Sequence, residues 1–195
     1  NLLQKVHLLD PNWENELPNY SAPYTSTIVF LVRKDNPLNI KDWNDLVKPG
    51  VRLIAPDPKS SGGAAWIFLA AYAYGSGPSW DDKAGEAYVK KFYDNVTVMD
   101  AGARGATTTF VENKQGDVLL AWENEALQSM KNHPGEYEII IPSVSIVAEP
   151  SVAIVSELAK KRGTYEIAKA YLEHLYDVKS QRLIAQYGFR PTNPA

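Results

Sequence analysis

The sequence predicts an α/β fold with a largely parallel sheet, and three observations carry that expectation. Short β-branched, apolar runs alternate with segments whose apolar residues recur at helical spacing, the pattern of strands connected through helices. Glycine-containing turns follow two of the strands and open helices, and open α/β sheets bind ligands beyond such carboxyl ends. At 195 residues, with 45% hydrophobic and 22% charged side chains, the chain has the composition of a soluble globular protein of one or two small domains.

The first residues, Asn1 to Val6, read as though mid-helix. Residues 25–32 are a β-branched run bounded by Pro23 and by Arg33 to Pro37, and they predict a strand. Asn39 is the expected N-cap of a short helix carrying Ile40, Trp43, Leu46 and Val47, stopped by Pro49-Gly50. A strand over 51–55 leads to a helix over 63–74 with Ile67, Ala70, Ala71 and Tyr74 on one face. A helix over 81–93, a strand over 95–99, a glycine-containing turn over 100–106 and a helix over 107–113 follow. Next come a strand over 117–122 ending at Trp122, a helix over 123–132 and a strand over 136–141. An extended run over 151–155 precedes two closing helices, one with Ile167, Tyr171, Leu172 and Leu175, one with Leu183, Ile184 and Tyr187.

The most informative stretch is Asp57-Pro58-Lys59-Ser60-Ser61-Gly62-Gly63-Ala64. It takes a strand into a helix N-terminus, where the first backbone N–H groups lack intrahelical partners. Ser60 or Ser61 could cap the helix, but a capping box needs Glu or Gln three residues later, and Gly63 and Ala64 stand there. Donors are left for an outside acceptor, and the helix dipole favours negative charge. The stretch therefore reads as an anion site, and the turn over 100–106, also at a strand end, can face the same crevice.

Bulk charge does not attract that anion. The formal net charge is −3, which gives no reason to expect nucleic acid or an anionic membrane as partner. Cysteine is absent, which removes disulfides and thiolate metal sites. No apolar run approaches the roughly 18 residues of a membrane span, and no secretory leader opens the chain. His7, His133 and His174 lack metal spacing, so neither metal nor cofactor is expected. Trp43, Trp66, Tyr72 and Tyr74 read as packing residues, Arg104 as a partner in local pairing, and Glu123, Asn124 and Glu125 as a solvated helix start. No phosphate-binding Gly-x-x-x-x-Gly-Lys-Ser/Thr loop occurs. Ser61 lacks the first glycine of a hydrolase elbow, so an enzyme is not expected and a serine hydrolase is the weakest rival.

Several motifs then occur in an order that resembles the periplasmic sulfate-binding proteins. They are Ser21 to Lys34, Pro58-Lys59-Ser60-Ser61-Gly62-Gly63-Ala64, Gly102-Ala103-Arg104-Gly105, Thr109-Phe110-Val111-Glu112 and Gly116 to Glu125. Ala148-Glu149-Pro150-Ser151-Val152 and Phe189-Arg190-Pro191 complete the series. That family consists of solute receptors for ATP-driven sulfate and thiosulfate importers. The resemblance implies a type II periplasmic-binding-protein fold of two α/β lobes joined by hinge strands. One lobe would be complete and the other partial: residues 1–24 end the first lobe, 25–145 form the second, and 146–195 return to the first.

Carried over motif by motif, the resemblance implies that Ser61 gives its hydroxyl, Gly62, Gly63 and Ala103 their backbone N–H groups, and Trp122 its indole N–H to sulfate. The implied partners are sulfate or thiosulfate and the membrane permease of an ABC importer, with no membrane insertion and a periplasmic location. Receptors for phosphate or molybdate remain alternatives, as does a non-binding piece that needs its missing segments. The chain departs from the family in starting after a further serine donor of the first lobe and in lacking the tail by which the family continues beyond Arg190-Pro191, so a central fragment is expected.

Overall fold

The run predicted as one strand over residues 25–32 divides at Ser26–Thr27, and the division separates two structural units. The computed structural model of the chain describes residues 2–192. One unit takes the residues up to Ser26 together with those from Ala148 on, and the other is Thr27–Val147. The chain opens with α1 (Leu2–Lys5), a 3-10 turn (Trp13–Asn15), α2 (Pro18–Ser21) and β1 (Tyr24–Thr25). The central unit follows with β2 (Ile28–Arg33), α3 (Trp43–Leu46), β3 (Leu53–Pro56), α4 (Gly62–Ser76) and α5 (Asp82–Asp94). It continues through β4 (Val96–Asp100), α6 (Ala103–Val111), β5 (Val118–Trp122), α7 (Glu123–Asn132) and β6 (Tyr137–Ile140). The first unit then resumes with α8 (Ser156–Lys161), α9 (Tyr165–His174), α10 (Val178–Gln186) and β7 (Arg190–Pro191).

The central unit is built on a five-stranded sheet of order β4-β3-β5-β2-β6. β3 lies parallel to β4 and β5, but β2 runs antiparallel to both of its neighbours. The sheet is mixed rather than wholly parallel, because β2 enters this unit from the other one and is inserted between two strands that run the opposite way. Its side chains alternate between two buried layers, as strand geometry requires. Ile28, Phe30 and Val32 pack with Trp43, Ile67 and Phe92 on one face. Val29 and Leu31 pack with Ile54, Ala106 and Phe110 on the other. A strand covered on both faces reads as a continuous apolar run, which is why 25–32 was legible.

Some element ends differ from the sequence expectation for physical reasons. Asp42, not Asn39, caps α3 through a capping box with Asp45, while Asn39 sits at φ 52 in the preceding turn. α6 begins at Ala103 and not at 107. The glycine that suggests a longer turn, Gly105, is inside the helix and lets it pack onto Asp100: an added Cβ would stand 3.2 Å from the Asp100 Cβ. Trp43 is fully buried and donates its indole N–H to Val144 O at 2.7 Å, whereas Trp66 is 37% exposed and belongs to the surface more than to the core.

In the unit formed by the chain ends, β1 and β7 make a two-stranded antiparallel pair with Tyr24 opposite Pro191. Gln181 ties this region together from a buried position, donating to Pro23 O and Leu175 O at 2.8 Å each. The extended run over 151–155 joins no strand, and the single β-bridge there pairs Ser26 with Ala148. The apolar face expected of α9 is only partly covered: Ile167 is 73% and Tyr171 64% exposed, while Leu172 and Leu175 are half-buried. α8 and β7 are too short to have shown a period in the sequence.

Candidate anion-binding site

Parallel pairing brings the carboxyl ends of β3, β4 and β5 to one edge of the central sheet. Pro56 stands in register with Asp100, and Leu53 with Val118. The three segments that leave these strands are the turn into α4, the turn into α6, and Trp122. Sequence separation had left open whether they meet.

The first turn is shaped by Asp57. Its side chain accepts from Lys59 N at 2.8 Å, and its carbonyl accepts from Ser60 N at 3.1 Å and Ser61 N at 2.9 Å. Ser61 is the N-cap of α4, but its hydroxyl makes no capping bond. The first bond that closes the helix is Ala64 N to Ser61 O at 3.1 Å. Gly62 N–H and Gly63 N–H therefore carry no partner among the described residues. A Cβ placed on Gly63 would lie 2.8 Å from Trp122 Nε1 and 3.6 Å from Ser61 Oγ. Hydroxyl, indole N–H and the Gly63 backbone thus converge on one point at the end of the helix.

The second turn completes the edge. Gly102 is the N-cap of α6, with no side chain to cap it, and the first helical bond is Ala106 N to Gly102 O at 3.1 Å. That leaves Ala103 N–H without a partner among the described residues. Two hydrogen bonds fasten this turn to the first: Asp57 N donates to Asp100 O at 2.7 Å, and Ser60 Oγ to Ala101 O at 3.0 Å. All five residues singled out in the sequence, Ser61, Gly62, Gly63, Ala103 and Trp122, lie at this one edge. The two ties between turns were missed. The Asp57-Pro58-Lys59 stretch, an Asx-turn signal, was the available hint.

The charged groups nearby are turned to other work. Arg104 pairs with Glu125 at 3.1 Å, as expected of local pairing. Glu125 is not simply solvated: its side chain is 17% exposed and also accepts from Thr107 Oγ1 at 3.5 Å. The Asp100 carboxylate packs under Gly105, its Oδ1 accepting from Thr109 Oγ1 at 3.2 Å while its buried Oδ2 has no partner among the described residues. His133, at the far end of α7, lies 3.5 Å from Glu112 and 3.7 Å from Glu136. What the edge offers is therefore a set of neutral donors: backbone N–H at two helix starts, a hydroxyl, and an indole that can only donate. Such a set suits a small anion that carries no proton to share.

A family model described as bacterial extracellular solute-binding protein matches residues 1–190. The chain is similar to the sulfate-binding protein of Escherichia coli (strain K12), 53% identical over 186 residues that cover 94% of this chain and 56% of the relative. It is also similar to the thiosulfate-binding protein of Pseudomonas aeruginosa, 43% identical over 188 residues, 96% of this chain and 57% of that one. Among solved structures, the sulfate-binding protein SubI from Mycobacterium tuberculosis H37Rv matches with a TM-score of 0.87 at 34% identity, covering 99% of this chain and 65% of that chain. The periplasmic binding protein AfuA from Actinobacillus pleuropneumoniae shares the fold at a TM-score of 0.65 and 16% identity, over 98% of this chain and 65% of its own. The chain spans a little over half the length of the curated relatives it matches.

Proposed function

Because the chain belongs to the bacterial extracellular solute-binding proteins, we propose that it forms part of a periplasmic receptor that captures sulfate or thiosulfate and delivers it to the membrane permease of an ABC importer. The anion is held by the N–H groups of Gly62, Gly63 and Ala103, the Ser61 hydroxyl and the Trp122 indole. The observation that carries this reading is the convergence of Trp122 Nε1 and Ser61 Oγ on the Gly63 backbone, 2.8 Å and 3.6 Å from the position of its missing Cβ. Helix dipoles and charge-assisted hydrogen bonds then balance the anion without a cationic side chain.

Trp122→Phe keeps the ring packing and removes one donor. Calorimetric titration with sulfate is expected to show binding roughly 10- to 150-fold weaker, the worth of one charge-assisted bond. An unchanged affinity in that variant refutes the assignment. Because none of the proposed ligands titrates, sulfate affinity is expected to be flat between roughly pH 5 and 9. A phosphate receptor needs an acceptor for the ligand's proton, and its affinity follows the ligand's own ionisation; the Asp100 carboxylate, with Oδ1 engaged by Thr109 Oγ1 and Oδ2 buried from solvent, gives that reading little support. Competition between sulfate, thiosulfate, molybdate and phosphate separates the oxyanions. Turnover of ester or phosphate substrates that is lost in Ser61→Ala would instead favour a hydrolase.

A further inference from the structure

We propose that Ser60 is a positioning residue for this site, its hydroxyl holding the second anion-binding turn against the first. The inference rests on the binding reading above and assigns to the serine pair two different jobs. Ser61 Oγ lies beside the Gly63 backbone and the Trp122 indole and caps nothing. Ser60 Oγ is committed elsewhere: it donates to Ala101 O at 3.0 Å, with a longer contact to Asp57 O at 3.5 Å. It is therefore not free to be a ligand.

The tie sits where the fold supplies no other. The bond from Asp57 N to Asp100 O, at 2.7 Å, is the last backbone rung between the β3 and β4 segments. Beyond it, among the described residues, the Ser60–Ala101 bond is the hydrogen bond that joins residues 58–63 to residues 101–105. A peptide unit is planar and trans, so holding the Ala101 carbonyl also fixes the direction of the Gly102 N–H. Gly102 continues in extended backbone, φ −164 and ψ 167, into Ala103, the first residue of α6. The Ala103 N–H lies in the next peptide, whose carbonyl, Gly102 O, accepts from Ala106 N at 3.1 Å, so the tie places the point from which that peptide starts. Ala101 and Ser60 are both exposed, so neither is part of the apolar core, and the bond contributes to arrangement more than to folding.

Without the hydroxyl, the free protein samples turn spacings that do not fit the anion, and binding must reorder them. The experiment compares the parent protein with Ser60→Ala and Ser60→Thr in three measurements: sulfate calorimetry, thermal midpoint, and amide hydrogen exchange without anion. Ser60→Ala is expected to bind sulfate roughly 3- to 10-fold more weakly, the worth of one neutral hydrogen bond. It should exchange the Gly102 and Ala103 amides faster than the parent while its thermal midpoint stays put. Ser60→Thr keeps a hydroxyl and is expected to restore both affinity and exchange protection. The proposal is overturned if Ser60→Ala binds and exchanges like the parent, or if affinity falls with no change in exchange, which marks a direct ligand. If the parent itself binds no sulfate, the functional reading fails, and the exchange data still decide whether Ser60 fixes the turn.

Discussion

At Gly63 the site depends on an absent carbon. An alanine there would place its Cβ 2.8 Å from Trp122 Nε1 and 3.4 Å from Cε2. The indole cannot simply yield, since Trp122 is packed against the buried cluster that includes Ile28, Phe30 and Ile67. Helix propensity alone would favour alanine by up to about 1 kcal/mol, so any loss reports the site and not the helix. Gly63→Ala is expected to weaken sulfate binding about 10-fold or more by displacing the indole donor. Gly62→Ala meets nothing within 4 Å and is expected to leave the thermal midpoint no lower than the parent's. Calorimetry and thermal denaturation of the two variants, side by side, test the difference.

At the scale of the element, α6 is held along its flank and at its far end. Along the flank Thr109 Oγ1 donates to the Asp100 carboxylate at 3.2 Å. At the far end Arg33, reaching from β2, lies over the Phe110 ring at 3.8 Å and donates to Phe110 O at 3.1 Å. The same guanidinium reaches Gln115 O at 2.8 Å and Gly116 O at 3.0 Å. Helix ends leave carbonyls in need of donors, and one planar fork serves Phe110 O together with two carbonyls of the loop into β5. Burial lowers the pKa of Arg33, against the raising influence of Tyr137 and Asp117. Arg33→Met should therefore destabilise the protein by about 2–4 kcal/mol, through unpaired carbonyls and the lost contact with the ring. Arg33→Lys should recover little of that, because an ammonium cannot reproduce the fork. Urea unfolding of both variants checks the claim.

For the molecule as a whole, carboxylates held by a cation and by backbone N–H groups set its acid sensitivity. Burial pushes Asp117 up, but Arg52 outweighs it: the guanidinium binds both carboxylate oxygens, at 2.7 Å and 3.1 Å, and Arg52 N donates at 3.0 Å. Asp45 behaves alike, its burial overcome by Lys48 at 2.6 Å and by two backbone N–H groups at 2.7 Å and 3.1 Å. Both are held below the usual carboxylate range in the folded protein. Their contribution is thus fully present above the unfolded value, near 3.9, and is lost as pH falls through the folded values. Stability is expected to decline below about pH 4. Asp117→Asn should be less stable at neutral pH and show a shallower acid decline. Thermal midpoints measured across the acid range would disprove this if parent and variant kept a constant separation.

The sequence by itself determined the strands and helices of the central unit, because side-chain period and turn chemistry act over a few residues. It determined the Ser60-Ser61-Gly62-Gly63 turn at a strand end and the neutral character of its donors. It did not determine that residues 25–32 divide between two units, since the apolar run is continuous and the break depends on partners at Arg190, Pro191 and Ala148. It could not place β2 antiparallel between β5 and β6, nor tell a turn glycine from Gly105, a packing glycine inside α6. The tertiary structure alone decided that the ends of β3, β4 and β5 share one edge, and that adjacent serines face different neighbours. Strand order and register are chosen by burying both faces of a sheet among residues far apart in the chain, and a local pattern carries no record of that choice.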